Sequence, residues 1–143
     1  MVAELIRGTR FADSRGELDF FNSFDLSRIV RMYRIKPANT EIIRAWQGHR
    51  IEQKWFYCLR GSFVVNLHPL SEFTEDPVGN SLQIFTLQAD LQEILRIPGG
   101  FVNGFRALEP NSELLVFSDM NLEDSKADDY RFDLKDRPFT DQY

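Results

Sequence analysis

The sequence contains a single cysteine, Cys58, so no disulfide can form within one chain. Cys58 lies in an apolar run, which predicts a buried and inert thiol and fits a reducing compartment. Long apolar runs are also missing. The first residues, MVAELIRGTRF, could not serve as a signal peptide, and no later segment approaches the length of a membrane span. From these absences we expect a cytoplasmic protein with no membrane partner.

Basic charge is in the minority, with 17 lysines and arginines against 22 acidic residues and a net charge of −5. This balance argues against a broad nucleic-acid surface. It leaves room for an anionic small molecule, because a few local arginines can hold a phosphate on an acidic protein. The length of 143 residues, without repeats or linkers, predicts one domain over 1–143.

Alternation of polar and apolar residues with a period of two dominates the chain and predicts short strands. The segments with this pattern are 28–35, 40–46, 54–59, 62–67, 81–87, 100–105 and 113–119. Residues 89–97 also fit a helix. We predict a turn and a strand there, because Pro98 keeps the residue before it out of helical geometry.

Turn and loop signals separate these strands. Arg60-Gly61 predicts a tight turn, residues 68–80 predict a long exposed loop, and the acidic tail predicts a short helix or a cover over the barrel. Together the pattern indicates an all-β fold, an antiparallel sandwich or small barrel of about eight strands.

Residues 44–61, RAWQGHRIEQKWFYCLRG, carry the spacing of a metal motif that has lost most of its ligands. Cupins have a first motif of His-x-His, four residues, Glu, six residues and Gly, and a second motif of Pro-x-Gly-x-x-His. The first register here is Gln47-Gly-His49, RIEQ, Lys54, WFYCLR and Gly61, and the second is Pro98-Gly-Gly100-Phe-Val-Asn103. This spacing resembles that of cupins and implies a single-domain jelly-roll barrel, the double-stranded β-helix.

The four positions that would hold the cupin metal are Gln47, His49, Lys54 and Asn103. Only His49 is an ordinary ligand, since amides are weak neutral donors and an ammonium repels a divalent cation. A catalytic transition metal needs about three good protein ligands. We therefore expect no metal and no other cofactor.

A lysine at the cupin glutamate position resembles the metal-free cupins that act on nucleotide sugars. These are the dTDP-4-dehydrorhamnose 3,5-epimerases and the shorter dTDP-sugar 3,4-ketoisomerases. The resemblance covers FADSRGELDFFN (11–22), VRMYRI (30–35), IIRAWQGH (42–49), KWFYCLRGSFVV (54–65), LRIPGGFVNGFRALE (95–109) and SELLVFSD (112–119). The chain length and Tyr33 resemble the ketoisomerases, whereas Lys54 and PGGFVNGF resemble the epimerases.

The resemblance implies a metal-independent isomerase or epimerase, working as a homodimer in cell-surface polysaccharide synthesis. Its substrate would be a nucleotide-linked 4-keto-6-deoxy sugar, with dTDP as the expected carrier. In these families two arginines hold the diphosphate, and the matching positions are Arg15 and Arg44. Arg44 also interrupts an otherwise apolar strand, and its guanidinium suits phosphate oxygens.

The family chemistry moves a proton beside a keto group, which needs a base, a group that stabilises the enolate, and an acid. The epimerase base position holds Gln47, its second histidine position Asn103, and its tyrosine position Phe117. By resemblance to the ketoisomerases, His49 would then shuttle the proton, Lys54 would stabilise the enolate, and Tyr33 would act as acid or orient the substrate. Gln47, Glu52 and Asn103 are expected to bind the substrate.

The three missing groups leave a second interpretation open, a silent cupin that binds a sugar nucleotide or partners an active enzyme. His68 is predicted at the surface. Trp46 and Trp55 either stack on a ligand ring or pack in the core. The pair Asp128-Asp129 is predicted to be a solvated face rather than an acid–base dyad.

Overall fold

Two five-stranded antiparallel sheets make up most of the protein, and a separate two-stranded hairpin extends from them. The computed structural model describes residues 2–141. The first sheet has the strand order β1-β9-β6-β11-β4, the second has the order β12-β5-β10-β7-β8, and β2 pairs with β3. This arrangement is the jelly-roll fold that the sequence predicted.

The strands are β1 (Glu4–Arg7), β2 (Thr9–Asp13), β3 (Gly16–Phe20), β4 (Arg31–Ile35), β5 (Ile43–His49), β6 (Lys54–Arg60), β7 (Ser62–Pro69), β8 (Gln83–Gln88), β9 (Glu93–Ile97), β10 (Phe101–Ala107), β11 (Glu113–Ser118) and β12 (Tyr130–Arg131). The helices are α1 (Ser71–Thr74), α2 (Leu122–Ala127) and a short 3-10 helix (Leu134–Asp136). No helix among residues 2–141 is both long and apolar enough to cross a bilayer.

The main core lies between the facing sheets, where alternate residues of each strand point inward. Phe56, Phe63 and Phe105 meet edge to face in this core, with ring centroids 5.5 and 6.2 Å apart. Cys58 is buried here as predicted, and burial raises the pKa of its thiol to about 12. Such a thiol is not ionised at neutral pH, so it is inert as a nucleophile.

A second apolar cluster covers the outer face of the second sheet. Trp46, Leu70 and Val102 form its centre, and aromatic residues of the C-terminal segment pack against it. The Trp46 ring nitrogen donates to the backbone carbonyl of Arg137 at 2.8 Å. The tail therefore lies over the barrel, one of the two outcomes that the sequence indicated.

A register shift in β5 changes which residues face the interior. Gln47 pairs with Asn103, whereas Phe105 pairs with Arg44 rather than Ala45. Directly opposed residues of an antiparallel pair lie on the same face, so the bulge brings Arg44 to the side of Gln47. Simple alternation would have placed Arg44 on the other face.

The sequence predicted the long strands better than the short ones. Residues 89–97 form a turn followed by β9, as expected, and the Arg60-Gly61 turn is present with a positive φ of 74° at Gly61. Four strands were missed: β1, β2, β3 and β12. β1 and β12 are short edge strands, and every residue of β2 is exposed, so none of them shows strong apolar alternation.

The prediction of an exposed loop over residues 68–80 is wrong for its first half, residues 68–74. β7 continues to Pro69, α1 follows, and His68 is 1% exposed. The His68 ring lies edge-on to Trp46, with centroids 5.3 Å apart, and its Nδ1 is 3.1 Å from the Glu72 carboxylate. The surface position predicted for His68 is therefore also wrong, because the tail and α1 cover this face.

Candidate active site

A cavity of about 830 Å³ opens at one end of the barrel, between the two sheets and α2. Its volume lies within the range typical of small-molecule sites. The sequence-predicted residues that line it are Tyr33 on β4, Arg44 and Gln47 on β5, Lys54 on β6 and Asn103 on β10. Five of the eight candidate residues thus converge on one space.

Lys54 is the central cation of this cavity, although it is only 3% exposed. Its Nζ donates to Gln47 Oε1 at 3.2 Å and lies 5.7 Å from the centre of the Tyr33 ring. It forms no ion pair with a carboxylate among residues 2–141. The ammonium is therefore available to an anionic or enolate oxygen.

Gln47 links Lys54 to the far wall. While its Oε1 accepts from Lys54, its Nε2 donates to Asp129 Oδ1 at 3.1 Å. These two hydrogen bonds fix the orientation of the Gln47 amide, with its oxygen toward the Lys54 ammonium and its nitrogen toward the Asp129 carboxylate. Partial burial is the largest single effect on the pKa of the Asp129 carboxyl and raises it. The hydrogen bonds from Arg131 and Gln47 and the nearby positive charge together outweigh it, so the pKa is lowered and Asp129 is ionised at neutral pH.

His49 lies one inward position beyond Gln47 on β5 and is buried, with 4% exposure. It is not among the residues that line the open cavity. Its Nδ1 is 2.7 Å from the backbone carbonyl of Asp128, and its Nε2 is buried without any hydrogen-bond partner. Because a carbonyl only accepts, Nδ1 carries the proton and Nε2 keeps a free lone pair.

The environment of His49 keeps the ring neutral. Burial lowers the pKa of His49, and the nearby Lys54 ammonium lowers it further, while Asp128 and Glu52 act in the opposite sense. A neutral imidazole whose Nε2 is unused, two residues along β5 from the cavity residue Gln47, can accept a proton at neutral pH from a ligand that reaches it.

Glu52 is fully buried behind His49 rather than in the cavity. Its Oε2 accepts from Arg31 at 3.0 Å and from Ser118 at 2.6 Å, and its Oε1 accepts from Ser125 at 2.6 Å. The structure therefore does not favour the expected contact of Glu52 with substrate, since protein donors already occupy its carboxylate and its side chain has no exposed surface.

Asp128 closes the loop between β5 and β6. Its carboxylate accepts three consecutive backbone N–H groups, from Arg50, Ile51 and Glu52, at 2.8 to 2.9 Å. It is 6% exposed, so the prediction of a solvated face is wrong for Asp128, whereas Asp129 is exposed as predicted. Asp128 fixes the loop, its carbonyl holds His49, and Asp129 lines the cavity.

Positive charge predominates around the cavity. Its lining includes five cationic side chains against the single acid Asp129: Arg31, Arg44, Lys54, Lys126 and Arg131. The side chains of Arg44 and Lys126 form no hydrogen bond or ion pair with any residue of the described range 2–141. An unpartnered guanidinium and ammonium beside a cavity suit a phosphate-bearing ligand.

Arg15 lies outside this cavity. It occupies the tip of the β2–β3 hairpin, where its side chain is 84% exposed and pairs with Asp13 at 2.7 Å. Within one chain it therefore does not contribute to the site that the sequence assigned to it.

The sheet geometry shows on which face the aromatic side chains Phe117 and Trp55 lie. Phe117 and Trp55 point to the outer face of the first sheet, where both pack against Phe24 at centroid distances of 5.5 and 6.4 Å. Trp55 is thus a packing residue, whereas Trp46 packs in the second cluster and also borders the cavity. The tyrosine position matched to Phe117 does not face the site.

The chemistry of the cupin metal positions does not fit a divalent cation. Lys54 donates to Gln47, and Asn103 donates to the Gln47 carbonyl at 3.3 Å, so amides and an ammonium fill the positions of the ligands. No group of three His, Cys, Asp or Glu side chains within residues 2–141 has a metal-binding arrangement. These residues serve hydrogen bonding instead.

Comparison with known proteins was made on sequence and on structure. No model of a known protein family matches the chain. A probable low-salt glycan biosynthesis epimerase from Haloferax volcanii is 30% identical over 124 residues, which cover 82% of this chain and 77% of that protein.

Solved structures share the fold. A variant of the 3,4-ketoisomerase from Thermoanaerobacterium thermosaccharolyticum, in complex with TDP-4-keto-6-deoxyglucose, is 22% identical with a TM-score of 0.72, over 91% of this chain and 87% of that one. The dTDP-4-dehydrorhamnose 3,5-epimerase from Bacillus anthracis, with TDP and PPi bound, is 21% identical with a TM-score of 0.73, over 90% and 77% of the two chains.

Proposed function

Because the chain belongs to the family of glycan biosynthesis epimerases that its Haloferax volcanii relative represents, we propose that it isomerises a nucleotide-linked 4-keto-6-deoxy sugar. It is an isomerase or epimerase of the sugar-nucleotide type. The observation that carries the finer proposal is the buried Nε2 of His49, which lacks a partner beside the Lys54 ammonium. The cytoplasmic location stays a prediction.

In the proposed reaction, His49 Nε2 takes a proton from the carbon next to the keto group, and the electron pair moves onto the carbonyl oxygen. Lys54 stabilises the enolate oxygen that results. The proton then passes from Nε2 to the carbon that carried the keto group, and the neighbouring hydroxyl gives its proton to the former carbonyl oxygen. The keto group and the hydroxyl thereby exchange places, and no external oxidant or reductant is needed. Tyr33, whose ring lies 5.3 Å from Arg31 and 5.7 Å from Lys54, orients the sugar or donates a proton.

The unpartnered Arg44 and Lys126 would bind the diphosphate, and Gln47, Asn103 and Asp129 would contact the sugar. A fixed amide and an ionised carboxylate suit hydroxyl groups, because together they offer a donor and an acceptor. The alternative of a silent sugar-nucleotide binder rests on Gln47 at the epimerase base position and on the exclusion of Phe117 from the cavity.

The wild-type protein tests the choice between enzyme and binder. Incubated with TDP-4-keto-6-deoxyglucose in heavy water, it should introduce deuterium beside the keto group, as seen by NMR and mass spectrometry. A protein-free sample measures spontaneous exchange. Ligand binding without catalysed exchange would establish the silent binder, and the absence of binding would contradict both.

We also propose a homodimer. The β2–β3 hairpin is detached from both sheets and exposes Phe11 and Leu18, and β4 is an edge strand with Met32 exposed. A second copy would cover these apolar groups and the open edge. The same contact would give Arg15, at the hairpin tip, a route to a partner's cavity.

Sedimentation equilibrium should give twice the chain mass of 16.7 kDa. The double variant Phe11→Ser, Leu18→Ser should shift the mass toward the monomer, since it removes exposed apolar contacts without touching the core. A wild-type monomer at micromolar concentration would refute this assembly.

A further inference from the structure

A buried polar network that has no role in the reaction described above lies behind His49. Glu52, Arg31, Ser118 and Ser125 form its centre, and the Glu52 carboxylate has no exposed surface. Burying a charge is costly unless donors surround it, and here three side-chain donors do so. Glu52 Oε1 lies 3.5 Å from His49 Nδ1, on the side of the ring that faces away from Nε2.

We propose that Glu52 is a positioning residue for His49, whose buried carboxylate favours the Nδ1–H form of the ring and stabilises the imidazolium produced when Nε2 takes a proton. This inference rests on the proposed function of His49 as the base. The Asp128 carbonyl, at 2.7 Å, receives the Nδ1 proton directly, and Glu52 adds a negative charge close to the same nitrogen. The two acceptors act on one N–H group, so rotation of the ring would forfeit both.

The charges that face His49 from each surrounding element oppose one another. Lys54 on β6 disfavours the imidazolium, whereas Glu52 and Asp128 favour it. Asp129 interacts with His49 from the cavity side. Arg31 pairs with Glu52 and lies over the Tyr33 ring, so it connects the network to the cavity wall. A base must accept and then release its proton, and this balance permits both steps.

The test combines kinetics with a direct measurement of the ring. The isosteric variant Glu52→Gln removes the charge and keeps the volume. We expect kcat to fall by about 10- to 100-fold, a part of the ~10²–10⁴ that acid–base catalysis supplies, with KM nearly unchanged. In nitrogen-15 NMR, the midpoint for protonation of His49 should move to lower pH, because a negative neighbour of the imidazolium is lost.

Glu113→Gln is the matched control. Like Glu52, Glu113 is a buried carboxylate that pairs with an arginine, here Arg34 at 3.1 Å. It lies on β11 of the first sheet and outside the cavity. It should leave both kcat and the His49 midpoint unchanged. An unchanged midpoint in Glu52→Gln, equal effects in both variants, or a shifted midpoint with wild-type kcat would each overturn the proposal.

A second variant covers the case in which Glu52→Gln does not fold. Ser125→Ala removes the hydroxyl that donates to Oε1 and leaves the carboxylate in place. The negative charge of Glu52 is then less stabilised by donors and acts more strongly on the His49 ring, so the midpoint for protonation of His49 should move to higher pH. A midpoint that stays or moves to lower pH would contradict the proposal. The NMR measurement needs no substrate, so failure of the heavy-water assay would end the proposed function without deciding whether Glu52 controls the His49 proton.

Discussion

Replacing His49 with asparagine should reduce kcat by about 10³-fold or more, since general acid–base catalysis contributes ~10²–10⁴ and no other described residue near the cavity offers an unpartnered ring nitrogen. Affinity for TDP should remain within about twofold, because the diphosphate would bind at Arg44 and Lys126, away from His49. Turnover is measured by product formation, and affinity by calorimetry with TDP.

His68→Asn provides an unusually close control. His68 is also a buried imidazole, its Nδ1 is bonded, and its Nε2 has no partner, but it lies on the opposite face of the same sheet. Both variants should lose about 1–3 kcal/mol of stability through the lost hydrogen bonds. Only His49→Asn should lose activity. Equal activity of the two variants, measured below their melting temperatures, would show that His49 is structural.

The pH dependence of wild-type activity should follow the protonation of His49. Burial and Lys54 lower the pKa of His49, so the ring is neutral at pH 7 and the base is ready. Activity should therefore fall only as the pH drops below the ordinary histidine value of about 6.5 and the ring becomes protonated. His49→Asn should abolish this acid limb together with the turnover.

The sequence predicted the cavity through the spacing that it shares with the cupin motifs. Gln47, Lys54 and Asn103 converge because strand periodicity and turn lengths place motif positions on inward faces, and these rules are local. The β9 strand followed from one proline. Local rules also explain the prediction of the Arg60-Gly61 turn, since Gly61 adopts a φ of 74° that glycine tolerates without strain.

The polar network behind His49 could not be predicted from local sequence rules. Asp128 lies 76 to 78 positions from the backbone groups that it holds, and Glu52 lies 73 positions from Ser125. No periodicity relates residues that far apart. An acidic pair in a polar tail indicates solvent exposure by composition, yet here the tail folds back and buries Asp128 against the β5–β6 loop, while Asp129 stays exposed at the cavity. The local signal in this segment is Asn121, a residue type that favours a helix N-cap and here precedes α2.

Removing the ammonium at position 54 should have the second large effect. Lys54→Met keeps the length of the side chain but leaves the enolate oxygen without its cation. We expect kcat to fall by about 10²–10³-fold, the usual cost of removing one such donor. Lys36→Met is the control, because Lys36 is exposed and lies outside the cavity. It should keep wild-type kcat.

The pH profile distinguishes this role from simple damage to the site. Next to burial, Lys54 is the main cause that lowers the pKa of His49. Without the cation, the imidazolium is less disfavoured, the pKa of His49 rises, and the acid limb of kcat/KM should move to higher pH. A Lys54→Met enzyme that is slow but keeps the wild-type limb would place the ammonium away from the base. That result would refute a shared site for Lys54 and His49, because two groups acting on one carbonyl and its neighbouring carbon must feel each other's charge.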